Sequence, residues 1–238
     1  MSANLQNVSF CQQMRKATRD VHKISDALVN AKVAIGLSND RVWADGLQIF
    51  YEIFRFLEQH TPVDWLPVEY HRTAAFQSDL AHFLGEDWQD EYSIRGSVRK
   101  YLLHLEDIKN TKPKLLIAYV YHLYMGLLSG GQILQKKRKL MNNIVRSSDE
   151  GCAVTTFDGY SIGDLKIRMR SLIDNLVNEW DDETKADILR ESRIVFQLNN
   201  EIVSTVKGAG EAALLKISIA VVVVFVALLC FRMTKFVR

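Results

Sequence analysis

The chain has 238 residues, of which 48% are hydrophobic, and its formal net charge is only +2. That content is ample for a buried core, and so small a charge argues against a general nucleic-acid binder. With three prolines and twelve glycines, the composition also argues against a β-sandwich or a disordered chain. The three scattered cysteines lack metal-ligand spacing and indicate reduced thiols, neither a disulfide framework nor a zinc site.

Helical periodicity runs through residues 1–207. We predict a long first helix from Phe10 to Leu28, because its apolar residues recur at spacings of three and four. Further helices are predicted over 40–58, 70–84, 96–108, 115–134, 161–176 and 182–206, with a loop over 147–160. Alternating strand patterns are absent from the sequence. The prediction is therefore all-α: one multi-helix domain over residues 1–207.

The C-terminal part has a different composition. Apart from Lys216, which lies near one end where its side chain can reach the interface, residues 212–231 form an apolar run, and a helix of that length spans roughly 30 Å, the thickness of the bilayer hydrocarbon core. Because no apolar signal segment follows Met1, we expect a C-terminal transmembrane tail anchor, with 208–211 as linker and 232–238 as a short basic tail. Residues 1–207 would then face the cytosol. We expect the endoplasmic reticulum membrane, with the mitochondrial outer membrane as the alternative.

Gly126, Gly130 and Gly131 interrupt the apolar helical run over 115–134. A glycine inside a helix costs roughly 1 kcal/mol relative to alanine, so three of them so close together need a reason. They permit a bend or the close approach of a flat ligand to bare backbone. They also match a helix-packing face through Gly126 and Gly130, and this segment alone favours that explanation.

His22 lies at the edge of the apolar stripe on the first helix, with Arg19 and Arg15 one and two turns earlier. A lone histidine is usually an ordinary surface or core residue. A neutral imidazole near such cations nevertheless suits a ligand with a metal centre and anionic edges, such as haem. Lys166 and Arg170 form a like-charged i,i+4 pair, which an anion between them would stabilise. A solvated basic face is the alternative for that pair.

The remaining motifs carry little chemistry. The basic run over 136–139 is compatible with a solvated surface, an acidic electron-transfer partner or anionic lipid. The sequence contains no nucleophile elbow, P-loop or dinucleotide fingerprint. Any enzymatic chemistry is therefore expected to come from a cofactor.

Four segments resemble the animal-type, membrane-anchored heme oxygenases. The segment 15–22 is similar to the family's proximal helix, which ends in the axial histidine, and 70–88 is similar to a stretch typical of the animal enzymes. The run from Ala118 to Gln132 resembles the distal-helix signature, and 196–199 resembles part of the last soluble helix. Their order and separations match across the predicted domain, and the predicted anchor matches too.

The resemblance implies that haem lies between a proximal helix and a kinked distal helix. His22 would be the proximal iron ligand, and Gly126 and Gly130 would let distal backbone pass close over the porphyrin. The positions matching the family's propionate side are Arg15, Tyr121, Lys166 and Arg170. Family chemistry opens the haem ring to biliverdin with release of iron and carbon monoxide. Molecular oxygen is the oxidant, and NADPH supplies electrons through a membrane-bound flavoprotein reductase.

One departure from the family pattern concerns proton delivery. Leu127 stands where the family motif has an aspartate, which orders a water network that gives a proton to oxygen bound at the haem. Phe54 and Leu123 replace a tyrosine and an arginine of the same region. We therefore expect slow ring opening or altered regioselectivity. The alternatives are a non-catalytic haem-binding or sensing protein of the same fold, and a helical membrane scaffold without a cofactor.

Overall fold

The computed structural model describes residues 8–36, 39–142 and 151–207, and these contain helices but no strand. The all-α prediction is therefore confirmed for these residues. The α-helices are α1 (Phe10–Ala17), α2 (Arg19–Gly36), α3 (Asp40–His60), α4 (Thr73–Leu84), α5 (Gly96–Thr111), α6 (Leu116–Gly126), α7 (Gln132–Asn142), α8 (Ile162–Asn178) and α9 (Asp182–Ser204). Short 3-10 turns occupy Val68–Tyr70, Pro113–Leu115 and Ala153–Thr155.

The predicted first helix is broken at Thr18, so the prediction of one continuous helix was wrong. Thr18 leaves helical geometry, with φ −109° and ψ 4°. Its buried hydroxyl donates a hydrogen bond to the Met14 carbonyl at 2.8 Å, a local bond that competes with helix continuation. Arg15 consequently lies on α1 and His22 on α2, and a single straight helix does not set their separation.

Helix α6 forms the centre of the domain. Most of its side chains are buried, and it packs against α3, α5, α8 and α9. A helix that is apolar around its whole circumference has no face for water, so the sequence from Leu116 onward can be stable only in such an interior position. The site residues that α6 carries are thereby held by neighbours on several sides.

The helix that begins with α6 continues through Gly126 into α7, but its winding changes over Leu127–Gly131, which form a π-helical turn. Gly126 itself is right-handed helical, with φ −61° and ψ −48°, and neither Gly130 nor Gly131 has a positive φ. These glycines are therefore not needed for a left-handed backbone conformation. What they contribute is the absence of a side chain.

Two carboxylates, the half-buried Glu58 and the buried Asp79, hold neighbouring chain segments in place by hydrogen bonds to backbone N–H groups. Glu58 accepts hydrogen bonds from the Thr73 backbone N–H, and α4 begins there, three residues later than predicted. Asp79 accepts bonds from the Ala153 and Val154 N–H groups at 2.8 and 2.9 Å. The latter pair holds the described part of the predicted loop against the domain.

None of the described helices combines the length and the apolar composition of a membrane span. The predicted linker (208–211), tail anchor (212–231) and basic tail (232–238) lie outside the described residues.

Candidate functional site

A cavity of about 830 Å³ lies between the helices, with walls from α2, α3, α6, α7 and α9. Its lining surface is mostly apolar, with charged side chains from α1, α2, α4 and α8. Pockets of roughly 300–1,000 Å³ with apolar walls and a few placed polar groups are typical of cofactor and small-molecule sites. The cavity is therefore large enough for a cofactor-sized ligand.

His22 lines this cavity from α2, and its side chain is 55% exposed. The Nδ1 atom lies 2.9 Å from Oδ2 of Asp26, one helical turn later. Because a carboxylate only accepts, Nδ1 carries the proton and the Nε2 lone pair is available to a metal. We did not predict Asp26, although its i,i+4 spacing from His22 was a usable signal.

Gly126 and Gly130 also line the cavity, and a Cβ atom built on either would meet nothing within 4 Å. By contrast, a Cβ on Gly131 would lie 3.0 Å from Cδ1 of Leu127. Within the described residues no helix packs on Gly126 or Gly130, so the helix-packing explanation was wrong. The two glycines instead expose bare backbone to the cavity.

The charged groups that line the cavity are unevenly balanced. Its carboxylates are Asp26, bonded to His22, and Asp79, bonded to two backbone N–H groups. Its cations are more numerous: Arg15, Arg19, Lys23 and Arg170. This excess of positive charge favours a ligand with anionic groups.

The sequence predicts four residues that hold the anionic edge of a ligand. Three of them are part of the cavity lining: Arg15, Tyr121 and Arg170. The Tyr121 hydroxyl donates to the Cys11 carbonyl at 3.2 Å, and burial raises the pKa of this hydroxyl so that it stays protonated. Lys166 is half-buried on α8, one turn before Arg170, but is not among the cavity residues. Of the like-charged pair, only Arg170 is therefore part of the cavity lining.

Several buried polar atoms in the described part of the chain have no hydrogen-bond partner, and four of them belong to cavity residues. These atoms are Trp43 Nε1, His122 Nε2, Gln135 Oε1 and Arg170 Nε. An unsatisfied buried polar atom costs about 1–3 kcal/mol, so their concentration at one cavity indicates that a ligand or its waters complete them.

His122 was not identified from the sequence, although it lies one turn before Gly126 on the same helix face. Its ring centroid lies 5.0 Å from that of Phe196, whose ring also contacts His22 at 5.2 Å. Burial lowers the pKa of His122 to about 3, helped by repulsion from His22 when that ring is also protonated. The imidazole is therefore neutral at physiological pH.

The cavity wall around Leu127 is apolar. Leu123 is buried beside it, and Phe54 packs its ring 5.1 Å from Phe76 and 4.9 Å from Tyr124. Among the described cavity residues, no carboxylate is left without a hydrogen-bond partner. This wall therefore has no free acid to deliver a proton.

The basic run over 136–139 is not a uniform surface feature. Arg138 is buried, pairs with Asp40 at 2.5 Å and lies over the Trp43 ring at 4.8 Å. Lys136 and Lys137 are exposed. Arg138 thus stabilises the packing of α7 against α3, and only part of the run can meet a partner.

Comparison with known proteins agrees with this geometry. The family model described as Heme oxygenase matches residues 8–205. Heme oxygenase 1 of Homo sapiens is 30% identical over 207 residues, covering 80% of this chain and 69% of that protein. Heme oxygenase 2 from Chlamydomonas reinhardtii, solved without heme, is 26% identical with a TM-score of 0.76, covering 83% of this chain and 97% of that chain. Heme oxygenase-1 from the cyanobacterium Synechocystis, solved in complex with heme, has the same fold, with a TM-score of 0.75 at 24% identity and coverage of 93% and 100%. The resemblance drawn from the four sequence segments is therefore confirmed, and the chain belongs to the heme oxygenase family of oxidoreductases, enzymes of haem degradation.

Proposed function

We propose that this chain binds haem in the cavity and opens its ring to biliverdin, releasing iron and carbon monoxide. One observation carries the proposal: a single cavity contains three features together. These are the His22 imidazole held by Asp26, bare backbone at Gly126 and Gly130, and more cations than carboxylates. Haem requires these three features, because it combines an iron centre, a flat macrocycle and two carboxylates. The unpartnered atoms at the cavity support the same ligand.

His22 is the proposed iron ligand, through Nε2. The bond from its Nδ1 to Asp26 fixes the tautomer and the ring orientation, the role that outer-shell carboxylates have at metal sites. Gly126 and Gly130 would let the macrocycle lie directly against helix backbone, because neither residue has a side chain to separate the two.

Arg15, Tyr121 and Arg170 are proposed to hold the propionates. The unpartnered Arg170 Nε can donate to a carboxylate oxygen, and the protonated Tyr121 hydroxyl can turn to the same group. Lys166 is proposed to attract the propionates more weakly than Arg170 does, because it lies outside the cavity lining and acts only at longer range.

When bound, haem supplies the iron at which molecular oxygen is activated, with electrons from an NADPH-dependent flavoprotein reductase. The chain itself must position the macrocycle and deliver protons. Leu127, Leu123 and Phe54 can donate none, and both cavity carboxylates are already engaged. Ring opening should therefore be slow, and attack on the ring less confined to one edge.

The lack of a proton donor in the cavity wall around Leu127 favours a second candidate function, a haem-binding or sensing protein that does not degrade haem. It would keep His22 and the cations but lack a proton source at Leu127. Product analysis distinguishes the two functions, because only an oxygenase forms a bilin.

The test is an absorption time course of the full-length chain loaded with haem and supplied with reductase, NADPH and oxygen. Loss of the Soret band with growth of bilin absorbance supports an oxygenase, whereas a persistent band or bleaching without bilin supports the binding protein. Leu127→Asp should accelerate bilin formation. Leu127→Asn should not, because asparagine has the shape of aspartate but no ionisable group. Equal rates in all three proteins would refute the role given to Leu127.

We further propose that residues 1–207 form a cytosolic domain tethered by a tail anchor over 212–231 to the endoplasmic reticulum membrane. The support is the apolar composition of that segment. Resistance of the full-length chain to carbonate extraction tests the anchor. Microscopy of an N-terminally tagged chain distinguishes this membrane from the mitochondrial outer membrane.

A further inference from the structure

The last described residues lie at the cavity. Val203 and Val206 belong to its lining, and α9 ends between them at Ser204. The apolar segment that begins at residue 212 is only six residues beyond Val206. Even a fully extended chain of six residues reaches no more than about 20 Å. If residues 212–231 enter a bilayer, the cavity end of the domain is held within that distance of its surface.

The chain between Val206 and residue 212 acts as a tether, and this tether is short compared with the domain. A folded domain of about 200 residues has a radius of gyration of about 16 Å, and hence a diameter of about 40 Å. The tether is attached at the cavity and is only about half as long as the domain is wide. The domain therefore cannot turn its opposite side to the bilayer, because the cavity end would then lie farther from the membrane than the tether reaches. The tether alone therefore brings the cavity to the membrane side.

The exposed face of α7 has a composition that suits this position. Ile133 lines the cavity and is 55% exposed, and Leu140, two turns later on the same face, is 70% exposed. Lys137 lies between them on that face and Lys136 beside it, both exposed. Aliphatic side chains that penetrate the interface, flanked by lysines that meet anionic headgroups, are the pattern of membrane-surface helices.

Helix α2 contributes further cations from the other side of the cavity. Arg19 and Lys23 are exposed and belong to the cavity lining. Exposed carboxylates of Asp20 and Asp26 on the same helix partly offset these cations, so the excess of positive charge beside the cavity is greatest on α7, which also presents aliphatic side chains. Charge complementarity selects an anionic lipid surface over a neutral one.

We propose that the α7 face formed by Ile133, Lys137 and Leu140 rests on the anionic membrane surface, with the cavity opening toward the lipid. A ligand with a flat apolar body and carboxylates then passes between bilayer and cavity without crossing bulk water. This inference rests on the proposed tail anchor and, for the identity of the ligand, on the proposed haem binding.

The test uses the full-length chain in nanodiscs of phosphatidylcholine with added phosphatidylserine. Cys152 and Cys230 are replaced by serine, the buried Cys11 is kept, and a nitroxide is attached at Ile133→Cys, Leu140→Cys or the control Leu103→Cys. Leu103 is a suitable control because it is 66% exposed on α5 and does not line the cavity. Relaxation by lipid-soluble oxygen and by an aqueous nickel complex then reports the surroundings of each label.

Labels at 133 and 140 should be relaxed more by oxygen and at least about twofold less by nickel than the label at 103, with the contrast reduced in discs lacking phosphatidylserine. Equal nickel relaxation at all three sites in disc-bound protein would overturn the proposal. So would protection that develops only after reductase is added, because the face would then dock a protein. Failure to enter discs at all contradicts the anchor instead, which separates the two proposals.

Discussion

Replacing Gly126 or Gly130 by alanine should affect the free protein and its haem complex in opposite directions. In the free protein a new Cβ meets no atom within 4 Å, and the backbone at Gly126 is already right-handed helical. Alanine should therefore stabilise the helix by up to about 1 kcal/mol, because it removes the entropy penalty of glycine. For a domain of this size that corresponds to a rise in Tm of about 2–4 °C.

The haem complex should lose stability at the same positions. A ligand packed on bare Cα at about 3.5–4.0 Å meets a methyl carbon that projects about 1.5 Å from Cα into the cavity. Either the macrocycle or the helix must then shift, and a loss of about 1.4 kcal/mol already lowers affinity about tenfold. We expect at least this loss for Gly126→Ala and for Gly130→Ala.

Two measurements on the full-length chain in mild detergent check this prediction: thermal unfolding without ligand and haem titration by difference absorption. Gly96→Ala is the control for an open position outside the cavity lining, and it should leave haem affinity unchanged. Gly131→Ala should stabilise the free protein less than either of the two test substitutions, because its Cβ would lie 3.0 Å from Cδ1 of Leu127 and that side chain would have to shift. Unchanged haem affinity in both Gly126→Ala and Gly130→Ala would refute the placement of the macrocycle against this segment.

Three further predictions concern the other walls of the cavity. Asp26→Asn should weaken haem binding by about 10–100-fold and shift the iron–histidine stretching band, because His22 loses its anionic partner; an unchanged band contradicts this assignment. Arg170→Gln should raise the haem Kd more than Lys166→Gln, since only Arg170 lines the cavity, and equal effects in titrations would contradict that distinction. For His122, the lowered pKa means that the unfolded chain binds the proton first, so stability is complete above pH 6.5 and is lost at about 1.4 kcal/mol per pH unit as pH falls toward 3. Urea midpoints should therefore fall less steeply with acidification in His122→Leu than in the unaltered protein.

The break between α1 and α2 shows why local sequence patterns do not fix where a helix ends. The apolar stripe over Phe10–Leu28 has helical spacing throughout, so periodicity alone predicts one helix. The break at Thr18 depends on a single side-chain bond to Met14 and on burial of that side chain. Such a bond competes with helix propensity by a small free energy, and only the packed structure decides the outcome.

The glycine segment shows a similar division. The sequence indicated that Gly126 and Gly130 have a purpose, because their cost in a helix is known. It could not distinguish a packed helix from a ligand surface, since both need the same missing side chain. The open space beside the Cα atoms of these two glycines decides between the explanations.

By itself, then, the sequence determined the all-helical class, the family and the candidates His22, Arg15 and Arg170, because periodicity and motif spacing are local properties of the chain. Only the tertiary structure decided which candidates share a cavity. It joined Asp26 and His122 to the site, left Lys166 outside the cavity lining and buried Arg138 against Trp43. These outcomes depend on side chains brought together from separate helices, and the free energy of such contacts is not encoded in any one segment.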